Sequence, residues 1–207
     1  MILRIIFSLF LTIILVSGLS AKEQDCEWNS KRGIPCIVIS PNKSPQSYSA
    51  VGSSVSVINS EILENSNEFF LGTILDENLN GMNYFRSGGH GTVTGIQLRG
   101  LPKRYSTIYI DGVKMSDPST SDNSFYFSNI MNSSIDRIEI LRGSQSSLYG
   151  SSAIGGTINI FTKKGKKGKN KEIEISSGSN GTKNINLYYS GANKKHNYFI
   201  GLNKFLT

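Results

Sequence analysis

Three stretches towards the C-terminal end alternate between apolar and polar side chains, and this two-residue period sets what the chain can fold into. Ile173 and Ile175 alternate with Glu172, Glu174 and Ser176. Ile185, Leu187 and Tyr189 alternate with Asn184, Asn186 and Ser190. Tyr198, Ile200 and Leu202 alternate with Asn197, Phe199, Gly201 and Asn203. Successive side chains of a strand point to opposite faces, so each stretch reads as a strand with one apolar face and one largely polar or small face. Turn residues at 179–181 and 192–195 separate them, which predicts three antiparallel strands. Alternating segments of about ten residues between turns are the pattern of a transmembrane β-barrel, apolar towards lipid and polar towards the lumen. A half-buried soluble meander shows the same period.

The other end of the chain bears on which compartment it occupies. After Arg4, residues 5–16 are apolar apart from Ser8 and Thr12. The run is shorter than the roughly 20 residues a membrane-spanning helix needs. Ser17, Gly18, Ser20 and Ala21 follow it, so 1–21 reads as a secretory signal peptide cut near Ala21. No cysteine follows that cut directly, which argues against a lipid anchor. In an oxidising compartment Cys26 and Cys36 either bridge, closing a small loop, or remain as free or metal-binding thiols; their spacing leaves both open.

The net charge of +7 is a local property. Residues 1–162 carry a net −1 and residues 163–207 a net +8. The run KKGKKGKNK at 163–171 resembles a nucleic-acid patch, but export argues against a nucleic-acid partner. It reads as a solvated turn near anionic headgroups.

Between these ends, 22–50 contains Pro35, Pro41 and Pro45 with no sustained period and reads as extended. Inside it Ile37, Val38 and Ile39 form a β-prone triplet with nothing local to pair with, suited to adding a strand to another protein's sheet edge. The pattern then tightens into an α+β unit ending near residue 162. Strands are expected at 53–58, 95–99, 107–110, 137–141 and 157–162. A helix over 61–64 is capped by Asn59 or Ser60. A second, over 70–77, follows from Phe70, Leu71, Ile74 and Leu75. A short helix is expected over 127–132, and loops over 87–91 and 116–123.

No nucleophile–base constellation, metal-spaced His/Cys cluster or phosphate loop is legible, so no enzyme, cofactor or metal centre is expected. Asp136 and Glu139 lie three apart on a strand, on opposite faces, and make poor paired catalysts. His90, within Ser-Gly-Gly-His-Gly, reads as an exposed loop residue.

Four segments in order carry a resemblance: IQLRG at 96–100, TIYIDGV at 107–113, IDRIEILRG at 135–143 and SQSSLYGSSAIGGTINIFTKK at 144–164. Together they resemble the plug domain of TonB-dependent outer-membrane receptors. The matching positions are Arg99, Gly100, Asp111, Gly112, Val113, Arg137, Glu139, Arg142, Gly143, Tyr149, Gly150, Ala153, Ile154, Gly155, Gly156 and Asn159. The family's energy-coupling TonB box corresponds to CIVISPN at 36–42. Ile37, Val38, Ile39 and Ser40 match it in type; Pro35, Cys36 and Pro41 depart from it. A bridge from Cys36 to Cys26 would tether that box. Asn80-Gly81 stands where the family usually has Pro-Gly.

The resemblance implies an α+β plug domain, a small mixed β-sheet with short helices, followed by the first antiparallel strands of a transmembrane β-barrel. The implied organisation is a signal peptide at 1–21, a periplasmic segment with the TonB box at 22–50, the plug at 51–162 and the start of the barrel at 163–207. It implies a TonB-binding set of Cys36, Ile37, Val38, Ile39, Ser40 and Pro41. It also implies plug–barrel contacts from Arg99, Arg142 and Glu139. Apical loops at 84–91, 101–106 and 114–123 would meet ligand, with Tyr84, Phe85, Arg86, Lys103, Arg104 and Tyr105 suited to an anionic ferric chelate. The implied function is uptake of a scarce nutrient, cobalamin or a ferric siderophore, across the outer membrane, driven through TonB. The motif at 149–156 looks like the cobalamin-receptor branch. A 22-stranded transporter barrel needs about 220 residues in strands alone. With 207 residues the chain is therefore expected to be the N-terminal part of such a receptor. The alternatives are a free periplasmic plug-like binding module or a non-functional truncated product.

Overall fold

The computed structural model describes residues 40–44, 46, 51–89, 91–128 and 130–207. The signal peptide, Cys26, Cys36, Ile37, Val38, Ile39 and His90 lie outside the described residues. The elements run β1 (Ser54–Ile58), α1 (Ser60–Asn65), α2 (Leu71–Asn78), β2 (Met82–Arg86), β3 (Thr94–Leu98), β4 (Ser106–Ile110), β5 (Val113–Met115), β6 (Ile135–Arg142), α3 (Ser146–Tyr149) and β7 (Gly156–Thr162). Three longer strands follow: β8 (Gly168–Ser177), β9 (Lys183–Ala192) and β10 (Asn197–Leu206). This is the mixed sheet with short helices, then antiparallel strands, that the resemblance implied. Among the described residues no helix is long and apolar enough to cross a membrane.

Five strands form one sheet in the order β1-β6-β7-β4-β5, with β4 and β7 parallel and the other pairs antiparallel. Alternation along β6 and β7 splits the sheet into two faces. Ile138, Ile140, Ile158 and Ile160 point to one face and join Ile58, Leu63, Leu71, Ile74, Leu75 and Phe127 in the main core under α1 and α2. Val55 and Leu141 pack on the opposite face, which also carries Arg137 and Glu139 by the same alternation. A bulge between Ile135 and Arg137 shifts the register, so Ile135 and Ile138 both reach the core although they are three apart.

Local chemistry sets the element ends. Asn59 caps α1, its side-chain oxygen accepting from the Ile62 N–H at 3.0 Å. Asp111 and Gly112 both take positive φ, 48° and 83°, and turn β4 into β5. The Asp111 carboxylate accepts from the Thr162 N–H at 3.0 Å and its hydroxyl at 2.6 Å, which pins the turn to the end of β7.

Three expectations change. Among the described residues of 127–132 no α-helix forms, because this segment is bound elsewhere: Ile130 O accepts from Leu71 N–H at 2.9 Å, Met131 bridges Phe70, and a short 3-10 turn spans Asn132–Ser134. Residues 84–86 lie on strand β2, paired to β3, rather than in a loop. The basic run is not all turn, since β8 begins at Gly168 and takes in Lys169 and Lys171.

β8, β9 and β10 form a separate antiparallel sheet in the order β10-β9-β8. Its two faces are inverted relative to a soluble protein. Ile175 is 73% exposed and Leu202 is 64% exposed, while Asn184 and Asn186 are each 2% exposed. The polar face is turned towards the first unit: Phe205 packs edge-on against Phe69 and Phe70, and the Lys163 ammonium lies over the Tyr188 ring while bridging Glu64 at 3.4 Å. Asn203 donates to the side-chain oxygens of Asn184 and Asn186, and Asn186 donates to Glu174 at 3.1 Å. These buried amides are thus satisfied.

Gly156 enters β7 at φ 149°, and a Cβ there would overlap the Leu141 carbonyl oxygen and lie 2.9 Å from Leu98 Cδ1. Both obstacles belong to the sheet and its core. Gly156→Ala is expected to lower stability by about 2 kcal/mol or more, read as a drop in the urea midpoint. An unchanged midpoint would contradict the packing described.

Candidate functional site

The described end of the candidate coupling segment sits on the reverse face of the five-stranded sheet. Ser40 and Pro41 are buried. The Ser40 N–H and hydroxyl both donate to Glu139 Oε2, at 2.9 and 2.7 Å. Arg137, two residues before Glu139 on β6, donates from Nε to Glu139 Oε1 at 3.0 Å. The Tyr149 hydroxyl donates to the Ser40 carbonyl at 2.5 Å. Glu139 is fully buried, and burying a carboxylate is costly unless it is paired and hydrogen-bonded as here. Arg137 is itself held by Asp136 at 3.4 Å and stacks over Phe161 at 4.1 Å.

Tyr149 ends α3 and closes the other side of the cluster. Its ring meets Tyr109 edge-on at 5.1 Å, and the Tyr109 hydroxyl donates to the Tyr149 carbonyl. Lys43 lies over the ring at 4.9 Å. Burial first, and then the neighbouring Glu139 charge, hold the Tyr149 phenol above its ordinary pKa. It is therefore a donor at neutral pH, as the bond to Ser40 requires.

Glu139 thus serves the Ser40 latch within the plug, a contact not foreseen when it was grouped with the plug–barrel set. Arg99 and Arg142 differ from it. Arg99 adopts a positive φ of 55° in the turn after β3, and its guanidinium reaches towards Gly143, beside Arg142. Arg142 Nε is buried and has no hydrogen-bond partner. The structure therefore brings these two arginines to one end of the plug and leaves a buried donor unsatisfied there, a costly condition that a carboxylate from outside would relieve.

The residues expected to meet ligand divide. Tyr84 covers Gly72, and Phe85 covers its cross-strand partner Gly95, so both rings do packing work. Burial raises the Tyr84 phenol pKa, with Arg86 opposing. Arg86 is exposed. Lys103 runs beside Gly95, bridges Asp122 at 3.8 Å and stands 4.8 Å over the Tyr126 ring. Arg104 lies over Tyr105 at 4.8 Å. Phe85 and Lys103 therefore do share one surface, to which Asp122 and Tyr126 are additions the sequence did not single out. Among the described residues no group of His, Cys, Asp or Glu is disposed to hold a metal ion.

The latch carries a testable consequence. Hydrogen bonds to a charged acceptor are worth roughly 1.5–3 kcal/mol each. Glu139→Ala is therefore expected to raise the rate of tryptic cleavage after Lys43 by about tenfold or more, while cleavage within 54–162 stays unchanged. Equal rates at Lys43 would show that Glu139 does not hold the segment.

Comparison with known proteins agrees with this architecture. The TonB-dependent Receptor Plug Domain family matches residues 47–157. The vitamin B12 transporter BtuB of Photobacterium profundum is 45% identical over 76 residues, covering 37% of this chain and 12% of that relative. BtuB of Vibrio vulnificus is 34% identical over 128 residues, covering 61% of this chain and 20% of the relative. The chain thus spans a fifth or less of the length of these relatives. Among solved structures, the ferric yersiniabactin uptake receptor FyuA of Yersinia pestis has a TM-score of 0.60 at 26% identity, covering 75% of this chain and 24% of that one. BauA, the ferric preacinetobactin receptor of Acinetobacter baumannii, has a TM-score of 0.66 at 14% identity, covering 83% and 25%, and speaks to fold alone. With the family match extending over more than half its length, the chain belongs to the TonB-dependent receptor plug domain family.

Proposed function

We propose that this chain supplies the plug and the first wall strands of a TonB-dependent outer-membrane receptor that takes up cobalamin or a ferric siderophore. The observation that carries the reading is the inverted β8–β10 sheet packed by its polar face on a family-matched plug. An apolar face directed outwards suits lipid, and an open sheet edge in lipid must be paired by further strands. The exposed apolar face also weighs against a free periplasmic module. Binding, gating and transport are the work of the whole receptor to which this chain contributes its plug, with no covalent step.

In this reading residues 36–41 pair with TonB as an added strand, and Glu139 with Tyr149 holds that segment until ligand binding shifts the balance towards release. Arg99 and Arg142 meet carboxylates of the barrel wall. Arg86, Lys103, Arg104 and Tyr105 line the ligand side of the plug. The 45% identity of the Photobacterium BtuB match favours cobalamin; the fold likeness to FyuA keeps a ferric chelate in view.

The test is uptake of labelled cyanocobalamin and of labelled ferric chelates by cells producing the receptor that bears this chain. Proline removes the N–H an added strand needs, so Ile39→Pro is expected to abolish energised uptake while surface binding persists. Undiminished uptake by that variant would refute coupling through this segment. Transport of neither ligand class by the unaltered receptor would refute the proposed substrate range.

A further inference from the structure

The outward face of the β8–β10 sheet is not uniform along its length. The paired registers give its rows as Lys169–Gly191–Tyr198, Lys171–Tyr189–Ile200, Ile173–Leu187–Leu202, Ile175–Ile185–Lys204 and Ser177–Lys183–Leu206, so the far end carries two lysines and no tyrosine. One end is therefore lysine and tyrosine, and the middle is aliphatic. The Tyr189 and Tyr198 rings lie 5.6 Å apart and form a continuous aromatic step between the two. The connections at that end add charge. Exposed Lys166 and Lys167 precede β8, and exposed Lys194 and Lys195 occupy the four-residue turn between β9 and β10. Asn197 ties the two connections together, accepting from the Gly165 N–H at 2.7 Å and donating to the Gly165 carbonyl at 3.3 Å.

Charge is not balanced on this rim. The acidic residues after position 162 are Glu172 and Glu174. Alternation puts both on the polar face, where Glu174 accepts from Asn186 and Tyr188. Tyrosines at a membrane boundary place the ring at headgroup depth, and lysine stems can lie along apolar surface while the ammonium reaches the headgroups.

From this juxtaposition we infer that the rim formed by Lys166, Lys167, Lys169, Lys171, Lys194 and Lys195 is a docking surface for anionic phospholipid headgroups. The inference rests on the outward face meeting lipid, as proposed above, and adds which lipid chemistry that face selects. In the proposed receptor the chain before β8, with its TonB-binding segment, lies on the periplasmic side, so the plug linker at 163–167 and the β9–β10 turn at 193–196 mark the periplasmic end; the 178–182 connection at the other end, also five residues, does not choose the side by its length. That is why the partner is a phospholipid rather than a lipid A species. The rim would fix the height of the first strands in the bilayer and so the level at which the plug is held.

The experiment is flotation of residues 22–207, without the apolar leader and refolded from urea, with phosphatidylcholine vesicles with and without about one third phosphatidylglycerol. Binding to neutral vesicles reads the apolar face, and the increment from phosphatidylglycerol reads the rim, so failure of either is seen separately. The expected result is an anionic preference of about tenfold or more that fades with added salt. It is lost when the six lysines become Gln and kept when they become Arg. It is also kept in the plug-surface control Lys114→Gln. A preference that survives the six Gln changes overturns the inference, because the charge would then act from elsewhere. A lysine-dependent preference for lipid A but not for phosphatidylglycerol also overturns it. So does duplex-DNA binding at physiological salt without any anionic-vesicle preference.

Discussion

Everything in this structure turns on the sidedness of one three-stranded sheet. In water, a sheet buries its apolar face and shows its polar one. Here Asn184 and Asn186 are buried against the plug side, with Asn203 hydrogen-bonded to both, while Ile173, Ile175 and Leu202 face outwards. The buried amides satisfy one another and Glu174, so the inner face does not need water. The outer face loses nothing in hydrocarbon, whereas in water each exposed aliphatic side chain would forgo about 25 cal/mol per Å² of burial. The two units are thus mutually dependent. The plug gives the polar face its cover, through Phe69, Phe70 and Lys163, and the sheet gives the plug a wall.

The plug itself separates two tasks onto two faces of one sheet. On one face isoleucines of β1, β6 and β7 form a dense core with leucines of α1 and α2. On the other, a single buried carboxylate gathers Arg137 and the two donors of Ser40. A charge held this way is bistable in principle: it is well paired when the segment is docked and costly when it is not. That suits a switch better than an apolar contact, because losing either partner removes most of the stabilisation at once. Among the described residues the Nε of Arg142, at the end of β6, is buried without a hydrogen-bond partner.

Much of this was legible in the sequence because it was local. The Asn59 cap, the Asp111-Gly112 turn and the alternation of 172–203 are each set by residues a few positions apart. Less was legible where the partners are distant. Ser40 and Glu139 are 99 residues apart, and no local pattern announces their bond. The same-face spacing of Arg137 and Glu139 in IDRIEIL was the available hint. Tyr84 and Phe85 looked like loop aromatics, because the glycines they cover, Gly72 and Gly95, are across a helix and a strand from them. The helix expected over 127–132 failed for a similar reason: bonds from Leu71 and Phe70 claim that backbone first.

The sidedness of β9 is open to direct measurement. Single cysteines placed in turn at positions 184–190, in a background with Cys26 and Cys36 changed to Ser, would carry an environment-sensitive fluorophore in the membrane-assembled receptor. The account predicts a two-residue rhythm, with lipid-like emission and quenching by lipid-borne quenchers at 185, 187 and 189, and neither at 184, 186, 188 and 190. The reverse rhythm, or none, would contradict it.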